Sequence, residues 1–473
     1  MADKKQLVVI GAGPGGYAAA FLAADRGMDV ALIDKEMNPG GVCLYRGCIP
    51  SKALLHVAKL LHETKQAKAW GIEFGEPKID IDKLREFKNN VVTKLTSGTG
   101  QLAKQRKIEY IQGTAQFTGS NSVKIETADG ERDLEYENAI LATGSKPFII
   151  PSLKIDSPRL LDSTTALDIE DVPEKLLVIG GGYIGLELGS VYAQLGSKVS
   201  VVEMTDGLLP GADRDLVRVL ARRIDEDMEA VYLNTKVVEL KEVENGISVK
   251  FEGDLEEKEQ VFDKVLMSVG RKPVTEGLGL ENTKIEVNQG GWVKIDEKRQ
   301  TTDPAIYAIG DIAGEPMLAH KANAEAKVAV EAIQGHKVAF EPHAIPGVVF
   351  TDPELAWAGL TEAEAKEQGI PVEVARFSWA ASGRAITLDR TDGMTKLIME
   401  PETGRILGMG IVGAGAGELI SEGVLAIEMA AVAEDVAHTI HPHPTISETV
   451  MESAEMFFGE STHMYKPKRK KKK

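Results

Sequence analysis

Cys43 and Cys48 are the only cysteines in a chain of 473 residues, and they stand five apart in GGVCLYRGCIPSK (Gly40–Lys52). A thiol pair at this spacing can form a structural disulfide, lend ligands to a metal, pack as two inert core residues, or cycle between dithiol and disulfide. Two cysteines alone cannot complete a structural zinc site, which takes four Cys or His ligands at short spacings. The apolar pattern ALLHVAKLL begins soon after Cys48, which suggests a helix whose N-terminus would favour the thiolate. Lys52 follows Cys48 by four residues and would share its helical face. Such a couple can take part in thiol–disulfide exchange. That chemistry needs a proton acceptor, and AHTIHPHPTISETV (Ala437–Val450) supplies His438, His441, His443 and Glu448. Thr445-x-x-Glu448 also reads as a capping box, so Glu448 could start a helix, and the two roles are compatible.

Two strand–turn–helix units stand ready to position cofactors. QLVVIGAGPGGYAAAFLAADRG (Gln6–Gly27) carries Gly11, Gly13 and Gly16 as GxGxxG. The first glycine allows the tight turn, the second admits a pyrophosphate to the backbone, and the third lets helix and strand pack closely. The N–H groups at the helix start then bind phosphate. The next strand, DVALID, ends at Asp34, an acid at the right distance to meet a ribose. The pattern returns in KLLVIGGGYIGLELGSVYAQLG (Lys175–Gly196), with Gly180, Gly182 and Gly185, followed by KVSVVE ending at Glu203. Each acid lies equally far beyond its last glycine. A carboxylate at Glu203 suits the 2′-OH of NAD and repels the 2′-phosphate of NADP. The third cluster, GAGAGE (Gly413–Glu418), has the wrong spacing and no terminal acid.

Composition narrows the setting. A net charge of −17 sets the main body against nucleic acid or an anionic membrane as partner. The exception is KPKRKKKK (Lys466–Lys473), expected to be a solvated tail. No apolar run approaches the roughly 18–20 residues of a membrane span, and MADKKQLVVIG lacks the apolar core of a secretory signal. A cytoplasmic location is expected, where a disulfide is more often catalytic than structural. From about residue 346 alternating strands precede helical stretches, an α+β pattern unlike the first two units.

With GxGxxG, GGxCxxxxCIPSK, ATGS, a second GxGxxG, GD and HPTxxE in this order, the chain resembles the two-dinucleotide flavin disulfide reductases. The likeness runs from Lys5 to about Phe458. It implies an α/β fold with two Rossmann-like dinucleotide-binding domains plus a C-terminal α+β dimerisation domain. An FAD-binding domain would span 1–149 and 273–345, an NAD-binding domain 150–272, and the interface domain 346–460, leaving a disordered basic tail at 461–473. FAD would use Gly11, Gly13, Gly16 and Asp34, with Lys52 near the flavin ring. Ala115, Thr143 and Gly144 would line its adenine and ribose side, and Asp311 and Ala319 its ribityl and phosphate side. NAD would use Gly180, Gly182, Gly185 and Glu203, with Val237 and Gly270 as further contacts and Glu187 near the nicotinamide.

The same resemblance assigns the chemistry. Cys43 would form a mixed disulfide with the substrate, and Cys48 would pass electrons to the flavin. His443 would be the base, oriented by Glu448, and would serve the partner subunit of a homodimer; His438 and His441 are expected to be structural. The pattern is most like members that oxidise protein-bound dihydrolipoamide with NAD. Their partners are the lipoyl domains and acyltransferase core of 2-oxo acid dehydrogenase complexes, or a glycine cleavage system. Two positions depart from the family's habit. Tyr45-Arg46 replaces a more frequent Asn-Val, and Arg46 there would bring a cation between the thiols and shift their pKa or potential; Pro442 replaces a frequent Ala.

Overall fold

The computed structural model describes residues 3–465; the tail residues 466–473 lie outside the described residues. The run Leu7–Ile10 has no polar alternation, and Leu7, Val8 and Val9 are fully shielded. A strand covered on both faces belongs inside a parallel sheet. It forms β1 (Asp3–Ile10), which leads through the glycine turn into α1 (Pro14–Asp25) and β2 (Val30–Asp34). Pro14 opens α1, a position where its missing N–H costs nothing. Then come α2 (Gly41–Arg46), α3 (Cys48–Gln66) and α4 (Ile81–Gln105), followed by β3 (Glu109–Gln112), β4 (Thr114–Gly119), β5 (Ser122–Thr127) and β6 (Gly130–Leu141).

These strands are ordered β3-β2-β1-β6-β5-β4, parallel from β3 to β6 and antiparallel beyond. The strand Ile306–Ala308 also pairs in parallel with β6, so the chain returns to its first sheet after the second glycine unit has been completed. On the sheet's face α1 lies against α7 (Ala319–Ile333), and Ala19, Ala20, Ala23, Ala326 and Ala329 keep the two helices close.

A second parallel sheet holds Leu160–Leu161, Lys175–Ile179, Lys198–Val202, Ala230–Tyr232 and Lys264–Met267. Its first helix, α5 (Tyr183–Leu195), packs on α3, and α6 (Arg214–Asp227) faces the third sheet. That third sheet is antiparallel, running Gly347–Val349, Glu354–Gly359, Ile406–Gly413, Met394–Met399, Glu373–Ser378 in spatial order.

Buried charge joins the second and third sheets. Lys396, 1% exposed, places its Nζ 2.7 Å from carboxylate oxygens of each of Asp213, Asp215 and Glu362. Arg376 adds a second cation to Asp215 and Glu362. Buried carboxylates persist only when paired in this way. The C-terminal segment, expected as tail from residue 461, begins folded: Ser461 Oγ and His463 Nδ1 both hydrogen-bond Glu452, each at 2.5 Å.

Candidate active site

The thiols lie where two helices meet. Cys43 is inside α2 and Cys48 opens α3, with Gly47 as the joint. A Cβ on Gly47 would sit 2.9 Å from the Val42 carbonyl oxygen, so a side chain there would force the helices apart. Both cysteines are free, and the Cys43 thiol donates a hydrogen bond to the Cys48 sulfur. That bond pulls the Cys48 pKa down to about 7; the Lys52 ammonium adds to the effect, against burial and the Glu187 carboxylate. Cys43 is pushed up, first because its proton is held in that bond and then by burial. Of the two thiols, Cys48 is therefore the one that ionises more readily.

Both thiols face a cavity of about 710 Å³. Its walls include Gly11, Gly13, Asp34, Lys52, Ala115, Thr143, Gly144, Glu187, Asp311 and Ala319, which the structure brings together from distant parts of the chain. Gly16 stands behind the wall: a Cβ there would lie 1.8 Å from the Gly11 carbonyl oxygen, so α1 can meet the turn only at a glycine. Asp34 accepts from the Ala12 amide at 2.6 Å and thereby braces the turn as well as facing the cavity. Thr143 Oγ1 is bonded to the Val274 carbonyl at 2.8 Å, and Asp311 accepts from Ser145 Oγ at 2.5 Å.

The second turn repeats this build. A Cβ on Gly185 would lie 2.3 Å from the Gly180 carbonyl oxygen, and Glu203 accepts from the Gly181 amide at 2.8 Å. Its other oxygen takes the Thr205 amide and hydroxyl at 2.8 and 2.9 Å. Gly182 is open, with nothing within 4 Å of where its Cβ would be. Gly270 holds a positive φ of 127° beside this sheet. Val237 differs from its expected role in one respect: it is 5% exposed within the apolar core under the sheet, so its side chain packs inward.

Three features escaped the sequence. Tyr183 begins α5, lines the cavity beside the thiols, and is pushed up to about 12 by burial. The GGGYIG spacing marked its position, though nothing in it pointed to the cavity. Glu187 is paired with Lys52 at 2.7 Å, and Phe350 lies over the same ammonium at 4.4 Å; only the tertiary fold brings these segments together. The expectation for Arg46 is corrected: its guanidinium turns away from the thiols to pair with Glu36, and the cation acting on Cys48 is Lys52.

His443 and Glu448 form their own site, apart from this chain's cavity. His443 Nδ1 is 2.8 Å from Glu448 Oε1, and Glu448 Oε2 accepts the Thr445 amide at 2.8 Å. One carboxylate thus orients the ring with one oxygen and, with the other, holds the main chain at Thr445 just ahead of the helix Glu448–Phe458. That helix has Ser447 at its N-cap and no side-chain cap, so the capping reading of Glu448 is corrected. Burial acts to raise the Glu448 pKa, but the Thr445 amide and the His443 ring hold it below the usual carboxylate value. The His443 side chain is 73% exposed, free to reach a group outside this chain. His441 instead is fixed between the Thr439 carbonyl and Glu422, each at 2.8 Å.

The family description "Pyridine nucleotide-disulphide oxidoreductase" matches residues 5–326, and that of the family's dimerisation domain matches 345–454. The chain belongs to the pyridine nucleotide-disulphide oxidoreductase family. Members of this family similar to it include dihydrolipoyl dehydrogenase of Vibrio cholerae, 49% identical over 471 residues and 99% of each chain. Dihydrolipoyl dehydrogenase of Geobacillus stearothermophilus is 44% identical over 463 residues, 98% of each chain. Among solved structures, the HOCl-induced flavoprotein disulfide reductase RclA of Escherichia coli, as a Cu(II) complex, superposes with a TM-score of 0.86 at 29% identity, covering 96% of this chain and 99% of its own. LpdA of Mycobacterium tuberculosis gives 0.88 at 26%, covering 95% and 99%. The family thus supports use of a flavin and a pyridine nucleotide, and the C-terminal sheet belongs to its dimerisation domain. No helix among the described residues is long and apolar enough to cross a membrane.

Proposed function

We propose that the protein is an NAD-dependent flavoprotein that oxidises protein-bound dihydrolipoamide to lipoamide. The observation that carries this reading is the Cys43–Cys48 pair, with its readily ionised Cys48 and its Lys52 cation, on the wall of a cavity that starts at a dinucleotide turn. Relatives of the same length and name support the substrate.

FAD fits the cavity: a volume of about 710 Å³ is within the usual range for a buried ligand, and Gly13 puts no side chain at the α1 N-terminus to block a pyrophosphate. Asp34 would hold its ribose, with Ala115, Thr143 and Gly144 on that side, Asp311 and Ala319 along the middle, and Lys52 at the ring. NAD would lie on the open Gly182 turn, with its ribose at Glu203 and its nicotinamide near Glu187; Gly270 and the Val237 main chain would flank it. FAD held there would supply a two-electron acceptor between the dithiol and NAD.

The chain's residues do the rest. In the oxidised protein Cys43 and Cys48 form a disulfide. A substrate thiolate attacks the Cys43 sulfur, forming a mixed disulfide and releasing Cys48 as the thiolate that Lys52 stabilises. The second substrate thiol then attacks its own bound sulfur, freeing lipoamide and the Cys43 thiolate. His443, held by Glu448, takes one of the substrate's thiol protons, and the other ends on the freed Cys43 sulfur. His443 is absent from this chain's own cavity wall and largely exposed, which supports its serving the thiols of a second copy, and the dimerisation domain supports a homodimer as the working unit. The domain division proposed is FAD-binding for 1–149 and 273–345, NAD-binding for 150–272 and interface for 346–460. Lipoyl domains on the acyltransferase core of a 2-oxo acid dehydrogenase complex, or a glycine cleavage carrier, would be the cytoplasmic partners.

The test is anaerobic reduction of the purified protein by dihydrolipoamide, followed by NAD. A long-wavelength thiolate–flavin band, then NADH formation, is expected. A flavin bleached by NADH but untouched by dihydrolipoamide would sink the substrate.

A further inference from the structure

Phe350 lies just beyond the first strand of the third sheet and reaches the other two units at one point. Its main-chain N–H donates to Glu187 Oε1 at 3.0 Å, and its ring lies 4.4 Å from Lys52 Nζ. The same ammonium is 2.7 Å from Glu187 Oε2. Lys52 belongs to α3, Glu187 to α5 and Phe350 to the third sheet, so each of the three units contributes one member. Glu187 is 4% exposed and has both oxygens engaged, while the Lys52 side chain is 32% exposed. The carboxylate is therefore fixed, and the lysine is the member that could swing out. An aromatic face under an ammonium opposes that motion, because the ring's negative face attracts the cation.

We propose that Phe350 is a positioning residue for the dithiol: its ring and its N–H lock the Lys52–Glu187 pair and so fix the ammonium beside the Cys48 sulfur. This goes beyond the dihydrolipoamide reading by adding a residue from the third unit, in the same chain, to the machinery around the thiols. The titratable groups facing Cys48 are Cys43 beside it, Lys52 on its own helix, Glu187 and Tyr183 on α5, and Tyr17 on α1. Lys52 is the cation among them, so moving it would change how readily Cys48 ionises, on top of the larger effect of Cys43.

The test follows Cys48 ionisation in the reduced holoprotein by the rate of iodoacetamide alkylation between pH 5 and pH 9. Trypsin cleaves after Arg46, which puts the two cysteines on separate peptides for mass analysis. Phe350→Leu and Phe350→Met, of similar bulk but without a ring face, should raise the Cys48 midpoint by about half a pH unit. Phe350→Tyr should leave it at the wild-type value, and Lys52→Met marks the full effect of losing the cation. If Leu, Met and Tyr all keep the wild-type midpoint, the ring has no such role and the proposal falls. It falls equally if Tyr shifts the midpoint as far as Leu does. Because alkylation reads the thiol directly, a protein that failed to oxidise dihydrolipoamide would overturn the substrate reading while leaving this result standing.

Discussion

The two glycine turns are almost the same object, yet they are covered differently. In each, the first glycine donates its N–H to the neighbouring strand, Gly11 to Ile33 at 2.8 Å and Gly180 to Val202 at 2.9 Å. Both have positive φ there, 96° and 108°, and both end on a glycine that a side chain would drive into the turn's own carbonyl. The contrast lies at the middle glycine. Over Gly13 sits Gly41, the start of the thiol-bearing α2, with Gly40 N–H bonded to the Ala12 carbonyl at 2.7 Å. At Gly182 nothing comes within 4 Å of where a Cβ would be. The same backbone device therefore suits a ligand that stays when a lid is folded over it, and one that comes and goes when it is left open. The lid that closes the first turn also carries the cysteines, so retention and chemistry are built from one segment.

Experiments can break that contrast at either turn. The largest effect is expected from Cys48→Ser, which removes the lid's chemistry without touching the second turn. Dihydrolipoamide-driven NADH formation should fall by about 10³-fold or more, while NADH still reduces the flavin, as stopped-flow absorbance would show. Gly41→Ala comes next. With φ at 56° and a Cβ 2.4 Å from the Gly13 Cα, it should lift the lid, cost about 2–4 kcal/mol in thermal unfolding and yield flavin-poor protein. The matching change at the open turn, Gly182→Ala, should keep the flavin and the melting temperature and raise the KM for NAD about three- to tenfold. Equal flavin loss from both alanines would refute the contrast. The smallest effect is in pH. Cys48 is depressed to about 7, so its thiolate is present above that value and is lost as pH falls through it. Dihydrolipoamide-dependent flavin reduction should weaken below about pH 7, and NADH-dependent reduction should lack that limb.

Much of this architecture could be read along the chain because its signals are local. Gly11 to Asp34 and Gly180 to Glu203 each fit within one strand–turn–helix–strand unit, so spacing alone located both turns and their acids. His443 and Glu448, five residues apart, could likewise be paired before any fold was known. What stayed hidden depends on contacts between distant segments. The Lys52–Glu187–Phe350 cluster joins three units, and no periodicity relates them. Arg46 shows the opposite failure: nearness in sequence to both thiols suggested the leading cation, but its side chain reaches back to Glu36 and Lys52 is the cation that acts most on Cys48. Val237 was expected beside the nucleotide, but pleat direction, which spacing from a motif does not reveal, turns its side chain into the core.

The return of Ile306–Ala308 to the edge of β6 has a consequence for biosynthesis. A ribosome delivers β1 to β6 early, but the strand that completes this sheet arrives only after the whole second unit has been made. Until then the end of β6, Ala139–Leu141, is unpaired on the side away from β1, a template for wrong partners. The inserted unit, whose strands are all contiguous in sequence from Leu160 to Met267, can fold during that wait. Translation speed across residues 150–300 should thus matter more to the yield of soluble protein than speed over any other stretch, because it sets how long the first sheet remains open.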